Sequence, residues 1–220
     1  LAKGRGVKRA VRDAKAFDMR WKNSGDLPGD IDIGLRRSTD AGGTWSQVQV
    51  VIDFPADTPG SRGNGAGDPS ILADFQSGTL WLAGLWSKGN RGWHGSGPGL
   101  SPEEPGQFLL TRSDDDGKSW SAPINITRQV KRPEWRLCLQ GPGRGVQLRD
   151  GTLVFPAQFK DATNRAHSFF VFSTNHGHAW MPAPPAVPDG RPETTESQIA
   201  ELANGDLLLS MRNHDQRKQR

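Results

Sequence analysis

One eight-residue phrase occurs three times along the chain, and it limits the possible folds more than any other feature. The copies run from Ser38 to Trp45, from Ser113 to Trp120 and from Ser173 to Trp180, in the frame S-x-[DN]-x-G-x-x-W. The fixed positions are Ser38, Asp40, Gly42 and Trp45, then Ser113, Asp115, Gly117 and Trp120, then Ser173, Asn175, Gly177 and Trp180. An Asp or Asn side chain bonds to backbone two residues on and tightens a turn. Gly takes a positive φ without steric cost, and Trp supplies an apolar plug. The phrase therefore reads as a tight hairpin turn with its own anchor, and its repetition implies a repeated architecture.

A second pattern interleaves with the first. Gly78, Gly151 and Gly205 each join a turn signal to an apolar run, as in Ser77–Leu82, Asp150–Phe155 and Asn204–Leu209. Each reads as a hairpin tip entering a buried strand. Apolar runs at Phe108–Thr111 and Phe169–Phe172 precede the second and third phrases, and Val48–Ile52 follows the first. No stretch shows helical periodicity. The expectation is an all-β chain, with radial repetition pointing to a propeller. Two stretches, Gly84–Gly106 and Pro182–Pro192, read as long irregular loops, where sites tend to lie on a rigid sheet scaffold.

Composition excludes several classes. The net charge of +4 is concentrated in residues 1–16, where Lys3, Arg5, Lys8, Arg9, Arg12 and Lys15 face Asp13 alone. The rest of the chain is close to neutral, so the broad basic surface of a nucleic-acid binder is not expected. No apolar run approaches the ~20 residues of a membrane-spanning helix. Cys138 is the only cysteine, which excludes an internal disulfide and a cysteine zinc site. His94, His167, His176, His178 and His214 form no ligand pattern, and neither metal nor cofactor is expected. Residues 1–16 also lack the apolar stretch of a secretory signal, so the sequence leaves the compartment open. They are expected as a basic segment ahead of a domain covering 17–220.

The eight-residue phrase resembles the Asp-box of bacterial exo-α-sialidases and a few other propellers. More specific segments accompany it. Phe17-Asp18-Met19-Arg20-Trp21 with Asp26-Leu27-Pro28-Gly29-Asp30-Ile31-Asp32 is similar to the sialidase segment that holds the acid/base Asp. Gly67-Asp68-Pro69-Ser70 resembles the family's next acidic loop, and Leu85–Trp93 and Gln140–Gly143 are also similar to it. Thr195–Leu202 and Met211-Arg212-Asn213 resemble its Glu and Arg strands. The resemblance covers residues 17 to 213, in order.

A sialic acid glycoside carries a carboxylate on its anomeric carbon. Cations must clamp that group, and Arg does so bidentately. A carboxylate nucleophile would be repelled, and sialidases use a Tyr instead. What the resemblance implies is a six-bladed propeller acting on sialylated glycans, with secreted or periplasmic relatives. Asp26 would be the acid/base, Glu196 would activate the Tyr, and Arg212 would hold the carboxylate. Arg20 and Asp68 would contact the sugar, and Trp86 and Trp93 would flank its N-acetyl group. Gln140, Arg136 and Gln158 are cleft candidates without a role, and Glu201 is read as structural.

The resemblance has gaps. The family's N-terminal Arg-Ile-Pro motif is absent, only one of three clamping arginines is present, and Tyr is zero. About three blades are expected from a chain of 220 residues. It reads as a piece of a sialidase domain, without hydrolysis by the family route on its own. The rival reading is a non-catalytic Asp-box propeller that binds glycan or protein.

Overall fold

The computed structural model describes residues 14–55, 63–188 and 191–215. Residues 1–13 of the basic segment lie outside the described residues. The first sheet holds β1 (Ala14–Arg20), β2 (Ile31–Arg37) and β3 (Gln49–Ile52) in that order. The second holds β4 (Asn64–Asp74), β5 (Thr79–Lys88), β6 (Gln107–Ser113) and β7 (Ile124–Asn125). A single helical turn, α1 (Thr127–Val130), leads on to β8 (Leu137–Gln140), β9 (Gly143–Arg144) and β10 (Val146–Gln147). In the third sheet β8 and β10 share one edge of β11 (Leu153–Lys160), followed by β12 (Ala166–Ser173) and β13 (Met181–Pro182). β9 crosses over and pairs in parallel with β4. The fourth sheet is β14 (Thr194–Glu201) with β15 (Leu207–Asn213).

Successive sheets stack face to face as blades of a partial propeller. Ile33, Leu35 and Ile52 of the first sheet pack on Ala66, Ile71, Leu82 and Leu109 of the second. Leu72, Trp81 and Phe108 of the second pack on Leu153, Phe155 and Phe169 of the third. With a sheet on either side, β11 is buried at every position and reads as a nearly continuous apolar run.

The structure departs from the sequence reading at three places. The stretch read as a loop from Gly84 is strand as far as Lys88. Gly84 lies inside β5 there. A Cβ on it would come within 2.4 Å of Ile33 Cδ1, so glycine allows the second sheet to close on the first. At the other end, β1 takes in Ala14, Lys15 and Ala16. Finally, the turn at Gly205 leads into a strand that is not buried. β15 pairs only with β14 among the described residues, and Leu207 and Leu208 are exposed.

The three Asp-box turns share one set of bonds. Each Ser hydroxyl donates to the acidic or amide side chain two residues on, at 2.7–2.9 Å. It also accepts the N–H of the box Gly at 2.8–2.9 Å. Asp40, Asp115 and Asn175 then accept the N–H of Thr44, Ser119 and Ala179 at 2.8–2.9 Å. The turn needs two consecutive positive φ angles, so Ala41, Asp116 and His176 share the left-handed region with the glycines that follow them. At Gly177 a Cβ would lie 2.3 Å from the Trp81 ring. Trp180 is buried against Trp81 and Phe155, whereas Trp45 and Trp120 are half-buried.

These bonds make the turns sensitive to acid. The Thr44 hydroxyl and amide, with Ser38, lower Asp40 to about 2. Burial pushes Asp115 up, but the Ser119 hydroxyl and amide with Ser113 outweigh it and lower it to about 2. A carboxyl depressed by folding stabilises the fold above its ordinary pKa of 3.8 and loses that contribution as pH falls through about 2. The third box has an uncharged Asn175 with the same bonds. The double variant D40N/D115N should therefore lose less stability than the wild type between pH 4 and pH 2, as read by thermal melts.

Candidate active site

The first strand of each of three sheets is interrupted, and the interruptions build the site. In β4 the register against β5 shifts between Gly67 and Ser70, leaving Asp68 and Pro69 out of the ladder. In β14 it shifts between Thr195 and Gln198, leaving Glu196 and Ser197 out. Asp68 has φ 57° and Glu196 φ 42°. Left-handed backbone at residues other than Gly is uncommon, and surrounding structure must hold it. In the third sheet the edge along β11 breaks between β8 and β10, opposite Pro156. The Pro156 carbonyl accepts Gly141 N–H at 2.7 Å, and its missing N–H falls on the same side, so the ladder cannot continue there.

The end of β1 supplies the first charged group. Arg20 Nη2 lies 2.7 Å from Asp26 Oδ1 and 3.0 Å from Asp18 Oδ2. Its Nη1 donates to the Ser24 carbonyl at 2.6 Å, closing the loop that carries Asp26. The Asp26 side chain is 86% exposed and reaches into open space. Asp18 also accepts the Asp68 N–H at 2.9 Å. On the other side Gln140 Nε2 donates to the Asp68 carbonyl. Burial first, then the charges of Asp18 and Asp26, raise the Asp68 carboxyl to about 6, against the opposing pull of Arg20.

That shift has a consequence for stability. A carboxyl whose pKa folding raises favours the fold below its unfolded pKa and loses that contribution as pH rises through about 6. Asp68→Asn should therefore raise the unfolding midpoint at pH 8 and leave it little changed at pH 4. Thermal denaturation at the two pH values checks it; an equal change at both would contradict the assignment.

The fourth sheet supplies the second charged group. Thr195 pairs with Arg212 across the β14–β15 hairpin, and Arg212 Nη1 lies 2.8 Å from Glu196 Oε2. Gln158, on β11, accepts the Glu196 N–H at 2.8 Å. Gln198 Nε2 donates to the Pro142 carbonyl at 2.6 Å and ties β14 to the broken edge of the third sheet. Both groups face one cavity of about 550 Å³, lined by Arg20, Asp26, Asp68, Gln158, Glu196 and Arg212. Leu27, Leu85, Leu137, Leu139 and Trp93 form its apolar side. Cations and carboxylates thus face each other across a half-apolar hollow, as binding of an anionic sugar would require.

The BNR repeat-like domain family matches residues 18–220 of the chain. A sialidase from Bacteroides fragilis is 43% identical over 203 residues, covering 90% of this chain and 36% of that protein. The chain belongs to the sialidase family of BNR-repeat propellers. A sialidase from Micromonospora viridifaciens is 33% identical over 193 residues, covering 85% of this chain and 29% of that protein. The structure of a Hadza microbial sialidase superposes with a TM-score of 0.85 at 46% identity, covering 92% of this chain and 40% of that one. The chain thus spans well under half the length of these relatives.

Most of the sialidase site residues expected from the sequence meet in the cavity: Arg20, Asp26, Asp68, Trp93, Glu196 and Arg212. Trp93 is braced by Lys160, whose Nζ lies 4.5 Å over the ring and donates to the Trp93 carbonyl at 2.9 Å. Trp86 is not among the lining residues. It stacks on Phe54 at 4.5 Å and donates its indole N–H to Asn64 at 3.3 Å, so its place is in the packing of the first two sheets. Glu201 lies away from the cavity, 3.1 Å from Arg149. Arg136 is likewise not among the lining residues. Asp18 and His214 carry no site role in the sequence reading, although Asp18 lies two residues before Arg20, on the same face of β1. Among the described residues no group of His, Cys, Asp or Glu is arranged to hold a metal ion.

Proposed function

We propose that the chain forms part of an exo-α-sialidase active site, cleaving terminal sialic acids from glycoproteins, glycolipids or oligosaccharides with retention. The observation that carries this reading is the meeting of the Arg20–Asp26 pair, Asp68 and the Glu196–Arg212 pair on one cavity. Arg212 has a guanidinium edge available to the substrate carboxylate, since only its Nη1 is engaged by Glu196. Asp26 is exposed when the site is empty. A bound sugar would bring its glycosidic oxygen against this carboxyl. Asp26 would then give its proton to that oxygen as the bond to the anomeric carbon breaks.

In the family route a Tyr oxygen attacks that carbon, and a Glu takes the phenolic proton. Glu196 would serve as that base. Water then displaces the Tyr, with Asp26 taking its proton, and sialic acid leaves with its configuration retained. The 220 residues contain no Tyr. On this reading the nucleophile and the further clamping arginines come from beyond them. The non-catalytic alternative needs neither a base beside the clamping Arg nor a carboxyl raised to about 6 in the cavity wall.

The test is to incubate the protein as encoded by its gene with sialyllactose and follow the products by proton NMR. The α anomer of free sialic acid should appear first. A protein that neither binds nor hydrolyses sialosides would contradict the proposal.

A further inference from the structure

Asp68 is held in a backbone conformation that its own chain does not favour. Its φ is 57°, and both it and Pro69 have left the ladder with β5. Such a conformation persists only where neighbours over-determine it. Two neighbours grip the peptide from opposite sides. Asp18 on β1 accepts the Asp68 N–H at 2.9 Å, and Gln140 on β8 donates from Nε2 to the Asp68 carbonyl. The Gly67 carbonyl lies 3.4 Å from the same nitrogen.

Gln140 is an unusual choice for its position. It is fully buried at the end of an otherwise apolar strand, Leu137-Cys138-Leu139. Its Oε1 has no partner. A buried amide with one orphaned atom is less favourable than an apolar side chain of the same shape. The bonds it does make go to the neighbouring sheet and reach only the bulge. Nor is it among the residues lining the cavity, whereas Gln158, which holds Glu196 in a similar way, is.

We propose that Gln140 is a positioning residue for the sialidase site, fixing the bulge so that the half-buried Asp68 carboxyl stays at the cavity wall beside Asp18 and Arg20. The proposal rests on the sialidase reading for what Asp68 contacts, but the grip itself can be measured without any sialoside. In Gln140→Met the volume is kept and the donor is lost. The bulge relaxes, the carboxyl gains water, and its pKa falls from about 6 toward the ordinary 3.8. Binding of a 2,3-unsaturated sialic acid analogue weakens by ~10-fold, the scale expected when one ligand hydrogen bond to a carboxylate is loosened.

The experiment is a pH titration of the Asp68 carboxyl carbon in 13C-aspartate-labelled protein, assigned with Asp68→Asn, alongside calorimetry with the analogue. A titration midpoint at least one pH unit lower in Q140M, with the fold intact, supports the proposal. A protein merely destabilised by Q140M, with the midpoint unmoved, overturns it. Gln140→Glu gives an independent arm. Burial favours the neutral carboxylic acid, which keeps a donor at that place, so analogue affinity should match the wild type at ~pH 5. A loss for Q140E at that pH as large as that for Q140M would overturn the proposal. If neither variant folds, the side-chain amide signals of Gln140 in the wild type must shift with the same midpoint as Asp68, and their failure to move overturns it. A wild type that does not bind the analogue, while Q140M still lowers the Asp68 midpoint, would remove the sialidase reading and leave the positioning role standing.

Discussion

Arg212→Ala is expected to weaken binding of a sialic acid analogue by about 2–3 kcal/mol, ~30- to 150-fold, the range for truncating one partner of a charge-assisted pair. Two losses combine. The ligand carboxylate loses a guanidinium, and Glu196 loses the cation 2.8 Å from its Oε2. Both side chains are about half exposed, at 58% and 47%, so water softens the second loss and the effect on folding is small. Arg212→Lys should recover only part of the affinity, because an ammonium keeps the charge without the two-pronged geometry. Calorimetry with the 2,3-unsaturated analogue checks both variants. Equal affinity for the wild type and R212A would show that the carboxylate is held elsewhere.

Asp26→Ala should affect turnover instead. Loss of a general acid costs ~10²–10⁴-fold in rate. The Asp26 side chain is 86% exposed and contacts Arg20 alone among the ion pairs, so analogue affinity and the unfolding midpoint should change little. The loss should depend on the leaving group. A sialoside of lactose needs a proton on its departing oxygen, whereas an aryl sialoside leaves as a stabilised phenolate and needs less help. D26A should therefore lose much more activity on sialyllactose than on an aryl sialoside. Steady-state kinetics on the two substrates measures this in the protein as encoded by its gene. Equal losses on both would remove Asp26 from the role of acid.

The features legible in the sequence were local ones. The Asp-box turns could be read because Ser38, Asp40 and Gly42 bond to one another within five residues. The pairing of Glu196 with Arg212 follows from a hairpin whose turn signal, at Asn204-Gly205, is visible in the sequence. The bulges at Asp68 and Glu196 were not visible. What holds them comes from other sheets, through Asp18, Gln140 and Gln158, across long stretches of chain. Gln140 in particular reads as a cleft candidate without a role, whereas the structure sets it behind the cavity wall, against the carbonyl of Asp68. Trp86 and Trp93 show the same limit in reverse. Both belong to a Trp-rich segment, yet one turns into the packing between sheets and the other into the cavity, as the partners Phe54 and Lys160 decide. Gly84 opens a stretch that reads as a loop because a Gly-rich composition alone does not distinguish a loop from a close approach of two sheets.

The central claim is that the two charged pairs and Asp68 form one sialic acid site. The most direct measurement is a crystal structure of the protein with the 2,3-unsaturated sialic acid analogue bound. The account predicts the carboxylate of the analogue on Arg212, its ring between Asp26 and Glu196, and Asp68 in contact with its hydroxyl or N-acetyl side. An analogue bound away from Arg212, or a saturated crystal with the cavity empty, would contradict it.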